Sequence, residues 1–163
     1  MEIRKITESD RDEIVRLYQK SQAATHIPNP DFYPPDSLDT ELYSRDALDR
    51  YVAVMDQKIV GHGLIENPNP ISLDFWLNGM PPSNNARLLE LGGAFVDPDF
   101  SRKGIYSELL SHRLNIIRKM GAIAVSATWI TNIHVQRQFM KEGGEEVARQ
   151  KVPAGVLCLF IFK

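Results

Sequence analysis

The chain has 163 residues, with 19 Lys and Arg against 21 Asp and Glu and a net charge of −2. This length suits a single domain over residues 1–163, and the charge excludes a general attraction to nucleic acid or to a membrane surface. The one cysteine, Cys158, excludes an internal disulfide framework and favours a reducing, cytoplasmic location. The charged N-terminus lacks the pattern of a signal peptide, and AGVLCLFIF, the longest apolar run, is too short to span a bilayer.

The first half of the chain predicts a strand, two helices and a hairpin. The alternating MEIRKI predicts the strand, and TESDRDEIVRLYQKSQ predicts a helix with Ile14, Leu17 and Tyr18 on one face. The Pro-rich segment 26–37 is expected to be a loop, and LDTELYSRDALDR (38–50) a second helix. YVAVM and IVGHGLIE, joined by the turn DQK, predict an antiparallel hairpin.

The second half of the chain alternates strands and helices. ARLLELGGAFV predicts a strand that Gly92 and Gly93 interrupt, as glycines do at a β-bulge. A helix over 103–120 is expected to end at Gly121, and the strand AIAVSATWI and the helix NIHVQRQFMKEGG follow it. EEVARQKV and VLCLFIF, joined by PAG, predict a closing hairpin. The order βααβββαβαββ predicts a mixed α/β sheet.

The segment DPDFSRKGIYSELL (97–110) places a basic, Gly-containing turn at the start of the helix 103–120. The first turn of a helix has unpaired N–H groups and carries the positive end of the helix dipole, which together attract anions. Gly104 permits close approach of a ligand to the backbone, and Arg102 and Lys103 add positive charge. The pattern alone fits a phosphate site or a solvated turn before a surface helix.

With these elements in this order, the chain resembles the GCN5-related N-acetyltransferase (GNAT) family along nearly its whole length. The family's pyrophosphate loop has Gln or Arg, two variable residues, Gly, one variable residue and a small residue. Here the stretch is SRKGIY, in which Gly104 matches, Ser101 replaces Gln or Arg, and Tyr106 replaces the small residue. The resemblance implies the GNAT fold: a mixed, mostly antiparallel central sheet, splayed at a bulged strand and flanked by about four helices.

A second part of the resemblance lies downstream, where the family often has an Asn, an aromatic residue seven positions later and a Gly eleven positions later. Here these are Asn132, Phe139 and Gly143, and Gly144 stands in place of the usual Phe. The resemblance implies that Asn132 hydrogen-bonds the pantetheine arm of coenzyme A, although a helix N-cap is an equally natural role. Phe139 lacks the hydroxyl of the usual Tyr, which is placed to protonate the departing thiolate.

The resemblance also identifies the anion at the basic turn as the pyrophosphate of coenzyme A. It implies that the cofactor arm pairs with backbone beside the bulge as though it were an extra strand. Acetyl-CoA is the implied cofactor, and no metal is expected because no His, Cys and Asp cluster has metal-ligand spacing. The implied cofactor-binding residues are Ala94, Phe95, Val96, Ser101, Arg102, Lys103, Gly104, Ile105, Tyr106, Ser107, Asn132 and Phe139.

Four side chains are candidates for proton transfer, because a protonated amine must lose a proton before it attacks a thioester. Glu90 is the first candidate base, since it precedes the bulge on the cofactor-binding strand, and His62 and Glu66 on IVGHGLIE follow. Tyr106 is the candidate acid for the leaving group, a role that water can also fill. Each side chain taken alone equally fits an ordinary paired or surface group.

The implied function is an acetyl-CoA-dependent N-acetyltransferase that transfers an acetyl group directly to a primary amine of a small molecule or peptide. The alternative is a non-catalytic acyl-CoA-binding or sensing domain, which the missing Tyr hydroxyl at 139 and the departures in the loop SRKGIY keep open. A tRNA-modifying acyltransferase is disfavoured by the acidic charge balance. No nucleic-acid or membrane partner is expected, and a homodimer is compatible with the sequence.

Overall fold

The structure, a computed structural model, describes residues 1–24, 47–68, 87–152 and 155–163. The predicted loop 26–37, residues 38–46 of the predicted second helix, and residues 69–86 lie outside this described part. Its α-helices are α1 (Arg11–Ala24), α2 (Ile105–Lys119) and α3 (Ile133–Lys141). Its strands are β1 (Glu2–Lys5), β2 (Ala47–Met55), β3 (Lys58–Glu66), β4 (Leu88–Val96), β5 (Ile123–Trp129), β6 (Gly144–Val152) and β7 (Gly155–Phe162).

The strands form a seven-stranded sheet in the order β1-β2-β3-β4-β5-β7-β6. The pairs β1–β2, β2–β3, β5–β7 and β6–β7 are antiparallel, whereas β4 and β5 are parallel. The predicted mixed, mostly antiparallel sheet is therefore confirmed. Three α-helices lie within the described ranges, against the predicted four or so.

The chain divides into two compact units, one of Met1–Glu66 with Gly92–Arg113 and one of Asn67–Leu91 with Leu114–Lys163. The chain passes between the units three times, after Glu66 at the end of β3, after Leu91 inside β4 and after Arg113 inside α2. In the first unit, the predicted apolar face of α1 is buried, with Ile14, Leu17 and Tyr18 each at most 4% exposed. These side chains form a core with Val52, Ile59 and Phe95.

Two glycines of β3 create room for α2 within the first unit. A Cβ at Gly61 would lie 2.8 Å from Ile105 Cγ2 and 2.9 Å from Leu109 Cδ1, and a Cβ at Gly63 would lie 2.8 Å from Arg113 Cζ. The helix residues are spaced by four, so they form one row along α2. Gly61 and Gly63 are two residues apart, so their missing side chains would lie on the same face of β3. The absence of these side chains leaves a shallow groove that receives the row from α2.

Two predicted boundaries are wrong. Residues 47–50 belong to β2 and not to a helix, because Ala47 and Arg50 take register positions opposite Glu66 and Leu64 of β3, and strand pairing outweighs local helix propensity. The helix predicted over 103–120 begins at Ile105, since Arg102 and Gly104 have left-handed φ values of 62° and 78°. Its predicted end is confirmed, with Gly121 at a φ of 65°.

The second unit has its own apolar core, in which Val125 of β5 packs with Leu159 and Ile161 of β7. Phe139 of α3 is 2% exposed and contacts the rings of Phe160 and Phe162 edge-to-face, with centroids 5.2 and 5.4 Å away. Cys158 is fully buried, as predicted for a core residue.

The same packing explains Gly144, which departs from the family pattern. A Cβ at this position would lie 2.7 Å from Cε1 of the Phe162 ring and 2.9 Å from the Phe139 carbonyl oxygen. The ring of Phe162 therefore leaves no space for a side chain at residue 144.

Candidate active site

The turn that precedes α2 is fixed at its start by hydrogen bonds and ion pairs. The Asp97 N–H donates to the Val60 carbonyl of β3 at 2.9 Å, and the Asp97 carboxylate accepts from the Asp99 N–H at 2.9 Å. Lys20 of α1 places its Nζ 2.6 Å from both the Asp97 and the Asp99 carboxylates. These contacts anchor the β4–α2 connection to α1 and β3, within the first unit.

The turn itself, Ser101–Gly104, is exposed and has an irregular backbone. Arg102 and Gly104 have left-handed φ values of 62° and 78° on either side of Lys103. The Gly104 carbonyl accepts the first helical hydrogen bond of α2, from the Glu108 N–H at 3.0 Å. The N–H groups that precede Glu108 in α2 therefore have no acceptor four residues earlier within the helix. Alternation of left-handed with other conformations turns successive N–H groups toward one side, as in anion-binding nests.

Gly104 is the point at which a ligand could approach this turn most closely. A Cβ there would meet no atom of the described residues within 4 Å, apart from its two chain neighbours. The next residue, Ile105, is 1% exposed and anchors the helix start against Gly61. Lys103 Nζ lies 4.6 Å from the centroid of the Phe100 ring, which holds this positive charge beside the turn. The open space, the N–H donors and the adjacent cations fit a phosphate group.

The double glycine of β4 forms a bend whose carbonyls have side-chain partners. Gly93 has a left-handed φ of 49°. Its carbonyl accepts a hydrogen bond from His62 Nδ1 at 3.0 Å, and the Gly92 carbonyl accepts from Arg113 Nη1 at 3.2 Å. The Glu66 Oε1 atom lies 2.0 Å from the place of a Cβ at residue 92, so a side chain there would displace the Glu66 carboxylate. The backbone of Ala94, Phe95 and Val96 follows this bend directly.

His62 is 1% exposed and stacks on Phe95, with ring centroids 4.7 Å apart. Because a carbonyl only accepts, its bond with Gly93 assigns the ring proton to Nδ1 and leaves the lone pair on Nε2. Burial lowers the pKa of His62 to about 4, and the charges of Arg113 and Arg50 also lower it, against the raising effect of the Gly93 carbonyl. His62 is therefore neutral at pH 7.

Tyr106 lies half-buried in the first turn of α2. Burial of its phenol raises the pKa to about 12, against a lowering effect of the Arg113 charge. The phenol therefore keeps its proton at neutral pH, as the predicted role of proton donor requires. Ser107 is half-buried in the same turn.

The two candidate glutamates belong to different units. Glu66 ends β3 in the first unit, with its carboxylate against Gly92. Glu90 belongs to the second unit, where it is half-buried on β4 at the register position opposite Val125 of β5. In the same unit, the Ser126 hydroxyl donates to the Leu91 carbonyl at 2.9 Å.

Asn132 and Phe139 also belong to the second unit. Asn132 Oδ1 accepts from the Val135 N–H at 3.3 Å, so the predicted N-cap of α3 is confirmed. Gln136 fixes this helix start to the end of β5, because its side-chain amide donates to the Trp129 and Ile130 carbonyls at 3.0 and 2.8 Å. The ring of Phe139 is used in core packing, and cofactor contact by either residue stays a prediction.

Sequence reasoning missed Arg113, although the sequence holds a signal for it. Arg113 is 1% exposed, and it follows Ile105 and Leu109 at helical spacing on the buried face of α2. A charged residue in an apolar row that faces a Gly-x-Gly strand indicates a buried guanidinium with backbone partners. Within residues 1–24, 47–68, 87–152 and 155–163, no group of three His, Cys, Asp or Glu residues could hold a metal ion. None of the helices there is long and apolar enough to cross a membrane.

Comparisons with known proteins identify the family. The model of the Acetyltransferase (GNAT) family matches residues 11–143, and the chain belongs to this family. No curated protein sequence matches the chain. Similar solved structures include a ribosomal-protein-alanine N-acetyltransferase from Brucella melitensis, with a TM-score of 0.76 and 18% identity over 99% of this chain and 98% of that one.

Two further solved structures support the same fold. An N-acetyltransferase from Staphylococcus aureus Mu50 has a TM-score of 0.76 and 15% identity over 99% of this chain and 97% of that one. The yncA protein from Salmonella typhimurium, solved with its cofactor acetyl-CoA, has a TM-score of 0.75 and 17% identity over 100% of this chain and 93% of that one. These identities show a shared fold, and family membership gives the general class, acetyltransferase.

Proposed function

We propose that this chain is an acetyl-CoA-dependent N-acetyltransferase that acetylates a primary amine of a small molecule or peptide. The observation that carries the proposal is the exposed turn before α2, with its left-handed Arg102 and Gly104 and the free space at Gly104. A family member with an open, N–H-rich turn at this place has the features that a pyrophosphate group needs.

The residues proposed to hold the cofactor fall in three places. Ser101–Ser107 would bind the pyrophosphate, mainly through backbone N–H groups. The departures from the family pattern at Ser101 and Tyr106 change side chains and therefore remove few of these contacts. Ala94–Val96 would offer their backbone to the cofactor arm. Only the backbone of Phe95 is suited to this role, because its side chain is 8% exposed in the core beside Tyr18. Asn132 would add a hydrogen bond and keep its N-cap role.

When bound, acetyl-CoA supplies an acetyl group activated as a thioester. The chain's own contribution is to orient the acceptor and to remove a proton from its ammonium group. Glu90 is the first candidate base and Glu66 the second. His62 is the least suited of the three, since it is buried and already donates Nδ1–H to Gly93. Tyr106 keeps its proton at neutral pH and is the candidate acid for the thiolate.

The acceptor is proposed to be a primary amine, in a small molecule or at a peptide terminus. Two similar structures are N-acetyltransferases by name, and one is named for ribosomal-protein alanine. The single cysteine of the chain is buried and unpaired, which fits the reducing cytoplasm proposed as its location.

The test is coenzyme A release from acetyl-CoA in the presence of a panel of polyamines, amino acids and peptides, including a peptide that begins with alanine. We expect at least one amine to accelerate release and to be recovered as its acetylated product. If acetyl-CoA binds but no amine is acetylated, the chain is an acyl-CoA-binding or sensing domain. If acetyl-CoA does not bind, both functions are contradicted.

A further inference from the structure

We propose that His62 and Arg113 are positioning residues that together hold the Gly92–Gly93 bend of β4, and thereby the backbone of Ala94–Val96, in the conformation that receives the cofactor arm. The role in cofactor binding rests on the proposed function. The hydrogen bonds of His62 and Arg113 to this bend, called the clamp below, exist in the free protein and can be tested without any ligand.

Arg113 acts from the α2 face of the sheet. Its guanidinium lies in the space left by Gly63, and it donates to the carbonyls of Leu109, Leu64 and Gly92 at 3.1, 3.1 and 3.2 Å. The acceptors on Leu64 and Gly92 belong to β3 and β4, so one planar group ties the two strands together at the bend. Among the described residues no carboxylate pairs with Arg113, and its guanidinium donates to these three carbonyls.

A buried guanidinium is a costly way to fill this space. Desolvation penalises the charge, and an apolar side chain of similar volume would often pack as stably. The particular property that Arg113 adds is a set of rigidly directed N–H donors, which fix the position of the Gly92 carbonyl. This geometry favours a role in positioning over a role in stability alone.

His62 acts from the opposite face. Neighbouring residues of a strand point to opposite sides, so the side chain of His62 lies on the other side of β3 from the space at Gly63. Stacking on Phe95 fixes the plane of the imidazole, and Nδ1 donates to the Gly93 carbonyl at 3.0 Å. Two successive carbonyls of the bend thus have one side-chain donor each.

Both donors are needed because of the conformation at Gly93. Its left-handed φ of 49° takes the chain out of regular strand geometry, so its neighbouring carbonyls cannot all join a regular ladder. A buried carbonyl without a partner would be costly, and the bend would shift to relieve it. The amides of Ala94–Val96 follow immediately, and a shift of the bend moves them.

The test compares His62→Asn with His62→Leu in the free protein. Asparagine can place an N–H donor near the position of Nδ1, has no basic nitrogen, and is therefore the matched control. Hydrogen–deuterium exchange of a peptide that covers residues 89–97 is the first readout. We expect exchange to be several-fold faster in His62→Leu and close to wild type in His62→Asn. Unchanged exchange in His62→Leu would overturn the clamp, whatever the protein binds.

The second readout is acetyl-CoA kinetics with the best amine of the panel. We expect the KM for acetyl-CoA to rise about tenfold or more in His62→Leu and less than threefold in His62→Asn, with a smaller change in kcat. Equal loss of kcat in both variants would instead make the imidazole a base. Faster exchange without any change in KM would overturn the link to the cofactor and leave the proposed function standing.

Arg113 offers an independent pair, Arg113→Lys and Arg113→Met. Lysine keeps a donor that can reach one carbonyl, whereas methionine fills the space without a donor. We expect exchange at residues 89–97 to be fastest in Arg113→Met, intermediate in Arg113→Lys and slowest in the wild type. Equal exchange rates in Arg113→Met and the wild type would show that Arg113 is not part of the clamp. Circular dichroism shows whether each variant is folded, and the lysine variant provides the comparison if Arg113→Met does not fold.

Discussion

Glu90 lies half-buried on β4, and its sequence neighbours Leu89 and Leu91 are buried on the opposite face of the strand. If it is the base, Glu90→Gln should lower kcat about 10²–10⁴-fold, the usual contribution of a general base. The amide keeps the shape of the side chain, so acetyl-CoA affinity and the melting temperature should change little. Turnover should recover partly at high pH, where the free amine is abundant.

The control for this prediction is Glu66→Gln, measured with the same amine and the same pH series. A Glu90→Gln variant with wild-type turnover at neutral pH would remove Glu90 from the mechanism. If turnover were lost in Glu66→Gln but not in Glu90→Gln, the base would be the Glu66 carboxylate.

His62 also predicts a pH dependence of folding stability. Its pKa is about 4 in the folded chain against an ordinary value of 6.5. Below pH 6.5 the unfolded chain binds a proton that the folded chain does not, so the stability from neutral His62 is lost as the pH falls from 6.5 to about 4. A difference of this size corresponds to about 3 kcal/mol in the free energy of unfolding.

Urea unfolding between pH 7 and pH 4 measures this effect. We expect the free energy of unfolding of the wild type to decline more steeply across this range than that of His62→Asn, which has no titrating ring. Parallel curves for the two proteins would show that His62 titrates alike in the folded and unfolded chains.

At the scale of elements, α2 has a left-handed glycine at each end. Gly104 and Gly121 have φ values of 78° and 65°, and within the described part of the chain a Cβ at either position would lie more than 4 Å from every residue except its chain neighbours. A leucine at either position should lower the free energy of unfolding by a similar amount, about 1–2 kcal/mol, because the left-handed backbone is strained for residues other than glycine. Only Gly104→Leu should also weaken acetyl-CoA binding, because its side chain fills the space proposed for phosphate.

Isothermal titration calorimetry of both variants with acetyl-CoA separates strain from ligand contact. We expect Gly121→Leu to bind like the wild type and Gly104→Leu to bind at least tenfold more weakly. Equal affinity in the two variants would place the pyrophosphate away from this turn.

The sequence allowed most elements to be predicted because their signals are local. Period-two and period-3.6 patterns identified the strands and helices, and Gly121 marked a helix end. Residues 47–50 were wrongly predicted as helix because the stretch DALDR favours a helix locally. In the structure β2 pairs with β1 and β3, and a local pattern does not indicate such long-range pairing.

The sequence also indicated candidate site residues, whose roles in binding and catalysis stay predictions. The turn at 101–107 was found from Gly104 and its basic neighbours, and its left-handed backbone agrees with that interpretation. Arg113 was missed because its role depends on the carbonyls of Leu64 and Gly92, which are distant in sequence. Gly144 departs from the family pattern, and its reason, the ring of Phe162, likewise requires the packed structure.

At the scale of the whole molecule, each compact unit has its own apolar core, and the chain has the fold and the family of the acetyltransferases. The function proposed for this chain requires that the native chain binds acetyl-CoA. A ligand that binds only the folded state stabilises it by about 2.7 kcal/mol at a concentration one hundred times its dissociation constant.

The most direct measurement is the melting temperature of the chain over a titration with acetyl-CoA, with Gly104→Leu and Gly121→Leu measured alongside. We expect the melting temperature of the wild type and of Gly121→Leu to rise continuously with acetyl-CoA concentration, and that of Gly104→Leu to rise only at much higher concentrations. A wild-type melting temperature that does not change up to millimolar acetyl-CoA would show that the native chain does not bind this cofactor.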